Sequence, residues 1–343
     1  MLSKFSQMLP HPIIAVDLGT ANTRIYASEF EKVIEKPSSI NLVDTRKNTI
    51  SDEYYKYLNS KMVKAPLRGG VIVDLKNAIT LLRPLILKTK KYLIRPSSLA
   101  CAPTDTSISE RNLLANAIIH AGAAHVSIIP EVWAAAIGCG MDISLPCAQL
   151  LIDIGDGVTD MAVFHGGRII FTSAVRTACS DLKKAVSSTV VAKHKIHLYD
   201  KDTEKLTHEV ASIVSSEGMQ KKLVHVSGID VVKRCEASVD VENGEVIAAM
   251  TPILNKILKM IENGLKRLPE KTYCEILASG ICLTGGGACI QGVGQLIASK
   301  TNMDVRTASD PMNAVINGAI DTLQFFKTNK IGLENLAWPN LTA

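Results

Sequence analysis

Apolar and polar positions along the chain fall into short strand-like runs separated by longer helical stretches. Consecutive apolar residues bounded by turn residues are typical of buried strands, whereas apolar residues at every third or fourth position are typical of amphipathic helices. Strands are predicted at residues 13–16, 99–102, 126–129, 150–154, 161–164, 169–172 and 281–283. Helices are predicted at residues 77–92, 107–121, 131–139, 181–193, 203–214 and 244–268. This alternation predicts an α/β protein.

The composition is that of a globular protein with more than one core. The chain has 343 residues, of which 47% are hydrophobic and 21% are charged. A chain of this length exceeds what one simple core holds, so we expect two domains. The net charge of +5, from 38 basic and 33 acidic residues, gives little support to nucleic-acid binding, although it would suit an anionic membrane surface.

Targeting signals and cysteine usage indicate a cytoplasmic protein. No apolar run approaches the ~20 residues of a membrane-spanning helix. The first residues, MLSKFSQMLPHP, have too short an apolar stretch for a secretory signal. The 8 cysteines form no CxxC pair and no zinc-like spacing, which predicts free thiols in a reducing compartment.

Two segments of the sequence repeat one design. IIAVDLGTANTRIYAS, at residues 13–28, and LLIDIGDGVTDMAVFH, at residues 150–165, both contain an apolar strand, an Asp-x-Gly turn with a threonine, and a second strand. Polar atoms at the tip of a buried hairpin are costly unless something charged lies against them. The two hairpins predict a duplicated domain whose tips face one ligand. For either hairpin alone, an ordinary turn is the alternative.

The residue types at these tips suit phosphate and a magnesium ion. Glycine lets the backbone approach anionic oxygens and aim N–H groups at them, and threonine hydroxyls add donors. An aspartate would repel phosphate directly, so it is better suited to holding Mg²⁺ through water. The residues concerned are Gly19, Gly155, Gly157, Thr20, Thr23, Thr159, Asp17 and Asp153.

A third glycine-rich segment points to the same chemistry. In GICLTGGGACIQGVGQLIA, residues 280–298, a buried strand leads into Gly285, Gly286 and Gly287 and then into a helix. Glycines before a helix N-terminus form a surface on which a nucleotide can lie against the backbone. The alternative is a tight turn between two packed elements.

With these three segments in order, the chain resembles the actin-like ATPases, and most closely the MreB family of bacterial cell-shape proteins. The resemblance extends over nearly the whole chain and includes PLRGGVIVDL, HAGAAHVSIIPEVWAAAIGCGM, LASGICLTGGGACIQGVGQLI and DPMNAVINGAI. It implies two RNase-H-like α/β domains around a nucleotide cleft, each with a smaller outer subdomain.

The resemblance also implies domain boundaries. Residues 1–10 are expected to be an amphipathic membrane segment, and residues 327–343 a C-terminal tail. Domain I is expected at 11–147, with its outer subdomain at about 36–64. Domain II is expected at 148–326, with its outer subdomain at about 195–245 and its C-terminal part packing back near the cleft.

Roles for individual residues, with ATP and Mg²⁺ as cofactors, follow from the resemblance. It implies a catalytic set in which Glu131 orients the hydrolytic water, although an acid favoured by the helix dipole is the alternative for Glu131. It also implies ribose contacts at Glu204 and Glu209, for which a solvated helix face is the alternative. The remaining assignments are Asp17, Gly19, Thr20, Ala21 and Asn22 to the first phosphate loop; Asp153, Gly155, Asp156, Gly157 and Thr159 to the second, with Asp153 and Thr159 catalytic; Asp17 and Asp153 to Mg²⁺ through water; and Gly285, Gly286 and Gly287 to adenosine.

Several positions depart from the family's pattern. The second loop has Asp156 and Val158 where glycine and threonine are usual, which is closer to eukaryotic actin. Val132 replaces the proline after the family's glutamate, and the segment 178–180 replaces a Gly-Gly-Asp run near the cleft. The usual ribose-side lysine is Thr207, and residues 36–64 match poorly. We therefore expect a diverged member with nucleotide binding and slow ATP hydrolysis.

Two apolar segments are candidates for membrane contact. Met1, Leu2 and Phe5 recur at helical spacing at the N-terminus, and Leu93 and Ile94 lie in KTKKYLIRP between basic residues. An apolar tip with a basic collar is typical of peripheral membrane binding. The alternative for Leu93 and Ile94 is the start of a core strand.

The predicted function is that of an ATP-dependent filament protein in bacterial cell-shape determination. Its expected partners are further copies of itself, the inner face of an anionic membrane, where it would be peripheral, and membrane proteins of the cell-shape machinery. No nucleic-acid partner is expected. The alternative is a monomeric ATPase on the same fold, similar to a sugar kinase, or a nucleotide-sensing protein that forms no filaments.

Overall fold

The computed structural model describes residues 12–41, 63–89, 94–209 and 222–328. Its strands are β1 (Ile13–Leu18), β2 (Asn22–Ala27), β3 (Lys32–Pro37), β4 (Ile40–Asn41), β5 (Val63–Lys64), β6 (Leu67–Arg68), β7 (Val71–Ile72), β8 (Ser97–Ala102), β9 (His125–Pro130), β10 (Gln149–Ile154), β11 (Thr159–His165), β12 (Arg168–Val175), β13 (Ile196–Leu198), β14 (Leu223–Asp230), β15 (Glu236–Glu242), β16 (Ile281–Thr284) and β17 (Val305–Thr307). Its helices are α1 (Leu75–Lys88), α2 (Ile108–Ala121), α3 (Glu131–Gly138), α4 (Cys179–His194), α5 (Asp200–Glu209), α6 (Asn243–Lys266), α7 (Glu270–Ser279), α8 (Val293–Thr301) and α9 (Ala314–Thr328). Every predicted strand and helix overlaps one of these elements.

Two five-stranded sheets are built to the same plan. Their strand orders are β3-β2-β1-β8-β9 and β12-β11-β10-β16-β17. In each sheet the central strand pairs antiparallel with the next strand in the chain and parallel with a later one. The sequence repeat therefore corresponds to a structural repeat, and the mixed α/β fold is confirmed.

The two hairpin tips also share one local geometry. The amide of Gly19 donates a hydrogen bond to the carbonyl of Asn22 at 3.1 Å, and the amide of Gly155 donates to the carbonyl of Val158 at 3.0 Å. Each turn follows an aspartate near the end of a buried strand. Because parallel strands end at the same edge of a sheet, the tips and the loops after β8 and β16 are available to one site.

Smaller sheets lie beside the two large ones. Strands β13, β14 and β15 form a three-stranded antiparallel sheet within the range expected for the outer part of domain II. Of the outer part expected at residues 36–64, residues 42–62 lie outside the described structure. The domain boundaries stay a prediction.

Helix α3 joins the two large sheets. Its Ala134 packs in a cluster with Ala15 and Leu99 of the first sheet, and its Val132 packs with Leu151 of the second. Helix α9 returns from the end of the second sheet and packs against α3 and the first sheet. Among the described residues, no helix is both long and apolar enough to cross a membrane.

Helices α3 and α9 cross at a glycine pair, Gly138 and Gly318. A Cβ on Gly318 would lie 1.8 Å from the carbonyl oxygen of Ala134, and one on Gly138 would lie 1.9 Å from the carbonyl oxygen of Ala314. Only residues without side chains permit this approach. The close crossing therefore sets the position of α9 against α3, the helix that joins the two sheets.

Replacing Gly318 with alanine is expected to lower the free energy of unfolding by about 2 kcal/mol, because the added methyl group must displace backbone. Gly294, in α8, is the matched control, since its Cβ would meet no atom closer than 3.8 Å and alanine is the better helix former. Thermal unfolding followed by circular dichroism compares Gly318→Ala with Gly294→Ala. Equal midpoints would contradict the close crossing.

Candidate functional site

A cavity of about 380 Å³ lies between the two hairpin tips. This volume is within the range of small-molecule binding sites. Both hairpins, the loop after β16, the start of α3 and one face of α4 and α5 contribute to its wall. The predicted site residues in the lining are Asp17, Gly19, Thr20, Ala21, Asn22, Glu131, Asp153, Gly155, Asp156, Glu204, Gly285 and Gly286.

The first tip places a charge network at the cavity. Asp17 is buried on β1 and faces Arg24 of β2 in the hairpin register. The Arg24 Nη1 atom lies 3.5 Å from Asp17 Oδ2, and its Nη2 lies 2.9 Å from Glu35 Oε1. The buried Nε of Arg24 has no hydrogen-bond partner within the described part of the chain. Arg24 therefore adds a cation that the sequence prediction missed, although its register opposite Asp17 was readable from the hairpin.

Part of the second tip lies behind the cavity and not in its wall. A Cβ on Gly157 would lie 2.3 Å from Thr20 Oγ1, and that same oxygen accepts a hydrogen bond from the Gly70 amide at 3.0 Å. Thr159 is buried and donates its hydroxyl to the carbonyl of Thr177 at 2.8 Å. Gly157 therefore packs between the first tip and the turn between β6 and β7, and Thr159 connects the second tip to the segment after β12.

The glycine segment after β16 is only partly in the wall. Gly285, at φ +81°, approaches so closely that a Cβ would lie 2.2 Å from Asp153 Oδ1. Gly287 packs on Ile154 away from the cavity. The expected order of strand, glycines and helix is present, with a short 3₁₀ turn at Gly286–Cys289 before α8.

The far end of the cavity has a lysine between two acids. Lys183 Nζ lies 3.5 Å from Asp156 Oδ1 and 3.7 Å from Glu204 Oε1. Asp156 is one of the departures from the family's pattern, and Lys183 balances its charge. Glu209 is the last residue of α5, and its side chain lies outside the described structure. Further lining residues that the sequence prediction missed are Cys179, His208, Cys289, Pro311, Met312 and Val315.

Two of the departures can now be placed. Cys179, from the segment that replaces Gly-Gly-Asp, lines the cavity, and its Sγ is 3.9 Å from where a Cβ on Gly286 would lie. Thr207, in the position of the family's lysine, is buried and donates its hydroxyl to the Thr203 carbonyl at 2.7 Å. The cation near this end is therefore supplied by Lys183 and not from position 207.

Carboxylates are crowded at the bottom of the cavity. Burial raises the pKa of Asp153 to about 8, and the neighbouring charge of Asp160 adds to the shift. Burial raises the pKa of Asp17 to about 6, although Arg24 opposes the change. Burial, with Asp153 and Asp17 next in effect, holds the pKa of Glu131 well above its usual range. Such a group of acids favours a proton or a cation beside it.

The donor set fits a magnesium ion. Carboxylate oxygens are hard ligands of the kind that Mg²⁺ takes, and Mg²⁺ keeps several of its waters. Within the described residues, no group of three or more His, Cys, Asp or Glu side chains is placed to hold a metal ion directly. Contact through water from Asp17 and Asp153 is the arrangement that agrees with both observations.

The candidate membrane residues are mostly outside the described structure. Met1, Leu2, Phe5 and Leu93 lie beyond it, and Ile94 is partly buried. The predicted helix at 77–92 corresponds to α1, which ends at Lys88. Membrane contact stays a prediction.

Comparisons with known proteins agree with this architecture. The family model described as MreB/Mbl protein matches residues 11–331. The cell shape-determining protein Mbl of Bacillus subtilis is 28% identical, with 89% of this chain and 93% of that protein covered. The crystal structure of MreB5 of Spiroplasma citri bound to AMPPNP superposes with a TM-score of 0.80 at 27% identity, covering 95% of this chain and 99% of that one.

A more distant structure extends the likeness at the level of the fold. The MamK double helical filament gives a TM-score of 0.75 at 18% identity, covering 92% of this chain and 99% of that one. The actin-like fold, the duplicated hairpins and the match of the family model over nearly the whole chain lead to one conclusion. The chain belongs to the MreB/Mbl family.

Proposed function

We propose that this protein binds ATP with Mg²⁺ between its hairpin tips and assembles with nucleotide into cytoskeletal filaments for bacterial cell-shape determination. The observation that carries the proposal is the pair of equivalent tips on either side of one cavity. The relative bound to AMPPNP supports nucleotide as the ligand.

Different residues would contact different parts of such a ligand. Backbone amides near Gly19 and Gly155 suit phosphate oxygens, and Gly286 leaves room for a flat group against the backbone. Arg24 supplies positive charge beside Asp17. When bound, Mg²⁺ would neutralise phosphate charge and hold the nearby carboxylates in their ionised form.

We further propose that hydrolysis is slow. Glu131 begins α3 and is buried in the cavity wall, where a carboxylate can accept a proton from water. Its raised pKa means that it must lose its proton before it can act as a base. Val132, buried in the cluster that contains Leu151, follows it in place of the family's proline, a change that would alter how firmly the carboxylate is aimed.

The filament is proposed to form from one interface repeated head to tail, since a heterologous contact that does not close gives an open polymer. The proposed domains, 11–147 and 148–326, each contain one five-stranded sheet. Closure of the cleft around nucleotide would favour the assembled form, because a ligand shifts a conformational equilibrium by its difference in affinity for the two states.

Bound nucleotide is expected to protect Cys289 from alkylation. Cys289 is exposed and lines the cavity, so an occupant would cover its thiol. Cys235 and Cys274 are also exposed but lie elsewhere, and they are internal controls. Mass spectrometry after a maleimide pulse should show several-fold slower modification of Cys289 alone when Mg-ATP is present. Unchanged modification at saturating Mg-ATP would place the nucleotide outside this cavity.

We propose that the filaments lie on the inner face of the membrane through the N-terminal segment and the segment with Leu93 and Ile94, where membrane proteins of the cell-shape machinery join them. Negative-stain microscopy on anionic liposomes should show filaments with Mg-ATP and none without nucleotide. Nucleotide binding without filaments in any condition would favour the monomeric alternative.

A variant separates membrane contact from assembly. With Phe5, Leu93 and Ile94 replaced by serine, filaments should form in solution while the liposomes stay bare. A filament binds the membrane through many weak contacts, one set from each subunit, and the substitutions remove these contacts from every subunit. Neutral liposomes with the unchanged protein are the control for the electrostatic part of binding, since each basic residue contributes about 1 kcal/mol of binding free energy only near anionic lipid. Undiminished decoration by the variant would refute these residues as the anchor.

A further inference from the structure

A lysine joins two carboxylates from different elements in the cavity wall. Lys183 of α4 has its Nζ atom 3.5 Å from Asp156 Oδ1 and 3.7 Å from Glu204 Oε1. Asp156 belongs to the second hairpin tip, whereas Glu204 lies on α5. All three residues line the cavity, and Glu204 is the most exposed of them, with 61% of its side chain accessible to solvent. One ammonium group therefore connects the tip to α5.

Helices α4 and α5 each present one face to the cavity. Cys179 and Lys183 are four positions apart on α4, and Glu204 and His208 are four positions apart on α5. Residues at this spacing share a face of a helix. Burial, and then the charge of Lys183, lowers the pKa of His208, so its imidazole is uncharged at neutral pH. Together with Asp156, these faces supply two carboxylates, one ammonium and one uncharged ring.

The charge and the position of this group favour the sugar of a nucleotide. Two carboxylates outnumber one ammonium, so a phosphate would be repelled here, whereas a hydroxyl can donate a hydrogen bond to a carboxylate. On one side lies the second tip, whose amides suit phosphate. On the other lies Cys179, whose Sγ is 3.9 Å from where a Cβ on Gly286 would stand, at the surface that suits the base. The sugar joins phosphate to base, so its hydroxyls fall between these two sides.

The arrangement also explains two departures from the family's pattern. Position 156 has a carboxylate where glycine is usual, and position 207 has threonine where lysine is usual. Thr207 is buried and donates its hydroxyl to the Thr203 carbonyl, so it supplies no charge to the cavity. Lys183, on the neighbouring helix, supplies the cation beside the added carboxylate of Asp156.

We propose that Lys183 is a positioning residue that holds the carboxylates of Asp156 and Glu204 toward the ribose of the bound nucleotide and thereby sets a preference for ribose over 2′-deoxyribose. This inference rests on the proposed function, because it concerns the same cavity. A carboxylate that is already held in place accepts a hydrogen bond from the 2′-hydroxyl without the cost of ordering a free side chain. A 2′-deoxynucleotide leaves that carboxylate without the bond.

Titration calorimetry of the full-length protein with Mg-ADP and with Mg-2′-deoxy-ADP tests the proposal. The unchanged protein should bind Mg-ADP about tenfold more tightly, the size expected of a hydrogen bond to a charged group. Lys183→Gln should lose most of this ratio, because the two carboxylates then repel each other and are no longer held together. Lys183→Arg, which keeps the charge and can contact both acids, should retain most of it.

The next residue of α4 supplies the matched control. Lys184 is exposed and does not belong to the lining of the cavity, so Lys184→Gln should leave the ratio unchanged. Asp156→Asn should also lower the ratio, and adding Lys183→Gln to it should lower the ratio little further, since both changes act through one arrangement. Circular dichroism of each variant checks that it is folded.

The two nucleotides separate positioning from a simple effect of charge. If Lys183→Gln loses affinity equally for Mg-ADP and Mg-2′-deoxy-ADP, the proposal is overturned, because the ammonium then acts on the phosphates and not on the sugar. Equal binding of the two nucleotides by the unchanged protein would also overturn it, while the binding itself would leave the proposed function intact. If the unchanged protein binds neither nucleotide, the proposed function fails, and this inference fails with it.

Discussion

Replacing Asp153 with asparagine is expected to weaken Mg-nucleotide binding at least tenfold while stabilising the nucleotide-free protein at pH 8. Binding weakens because the variant lacks the charge that would hold Mg²⁺ through water, and supporting contacts of metal sites are commonly worth 10–100-fold. Stability rises because an ionised Asp153 is costly among buried acids. The two effects have opposite signs, so a variant that merely misfolds cannot produce both.

The pH dependence gives the sharper test of this residue. Burial raises the pKa of Asp153 to about 8 from an ordinary 3.8, so the folded state holds a proton that the unfolded chain has lost between these values. The free energy of unfolding therefore falls as the pH rises through that range, by up to ~1.4 kcal/mol per pH unit for one group. The carboxyls of Asp17 and Asp160, with pKa values of about 6 and about 7, act in the same direction.

Thermal midpoints from pH 5 to 8.5, with and without Mg-ATP, measure this effect. We expect the nucleotide-free protein to lose stability across the range, and Asp153→Asn to lose less. Asp304, an exposed aspartate, is the control, and Asp304→Asn should follow the unchanged protein. Mg-ATP should flatten the dependence of the unchanged protein but leave that of Asp153→Asn as it was. A flat profile without nucleotide would contradict the crowded carboxylates.

Replacing Glu131 with glutamine is expected to reduce ATP hydrolysis about 100-fold or more while nucleotide binding and filaments persist. A positioned general base contributes ~10²–10⁴-fold to rate, and glutamine keeps the shape of the side chain but cannot accept the proton. Loss of one buried carboxylate should also ease the repulsion around Asp153 and Asp17. Single-turnover hydrolysis, with a parallel titration of nucleotide, separates the rate from binding.

The chain offers a matched control for the alternative that Glu131 is only a helix-terminal acid. Glu270 is likewise the first residue of a helix and follows a proline, as Glu131 follows Pro130. Glu270→Gln should remove the same favourable interaction with the helix dipole, worth about 0.3–1 kcal/mol, with no change in hydrolysis. If both variants lose equal stability and hydrolyse ATP at the unchanged rate, Glu131 has no catalytic part.

The sequence predicted the elements that have a strong local pattern. Strand β10 is a continuous buried run and helix α6 is long with an apolar stripe, and both are found where expected. The sequence did not predict helix α7, because Ile276 is its one buried residue and the helix therefore lacks an apolar stripe. Helix α9 was not predicted, although Ile316, Ala319 and Leu323 give it an apolar stripe that packs on the first sheet and α3.

Within the site, the sequence predicted which residues belong to the motifs better than it predicted which of them reach the cavity wall. Asp17, Asp153 and Glu131 all reach the cavity wall, as the motifs and the resemblance implied. Thr159 and Gly157, from the same motif, do not. Side chains alternate along a strand, but the face that meets the cavity is set by what packs on the other face.

The sequence by itself determined the duplicated hairpins, their glycine turns and the family, because strand pairing and turn geometry depend on residues close together in the chain. Only the tertiary structure decided that Arg24 and Lys183 lie in the cavity wall and that Thr20 Oγ1 accepts a hydrogen bond from the Gly70 amide. The raised pKa values belong to this second group. Burial and charge act through space, also between residues as far apart in the chain as Asp17 and Asp153, and no local pattern encodes those distances.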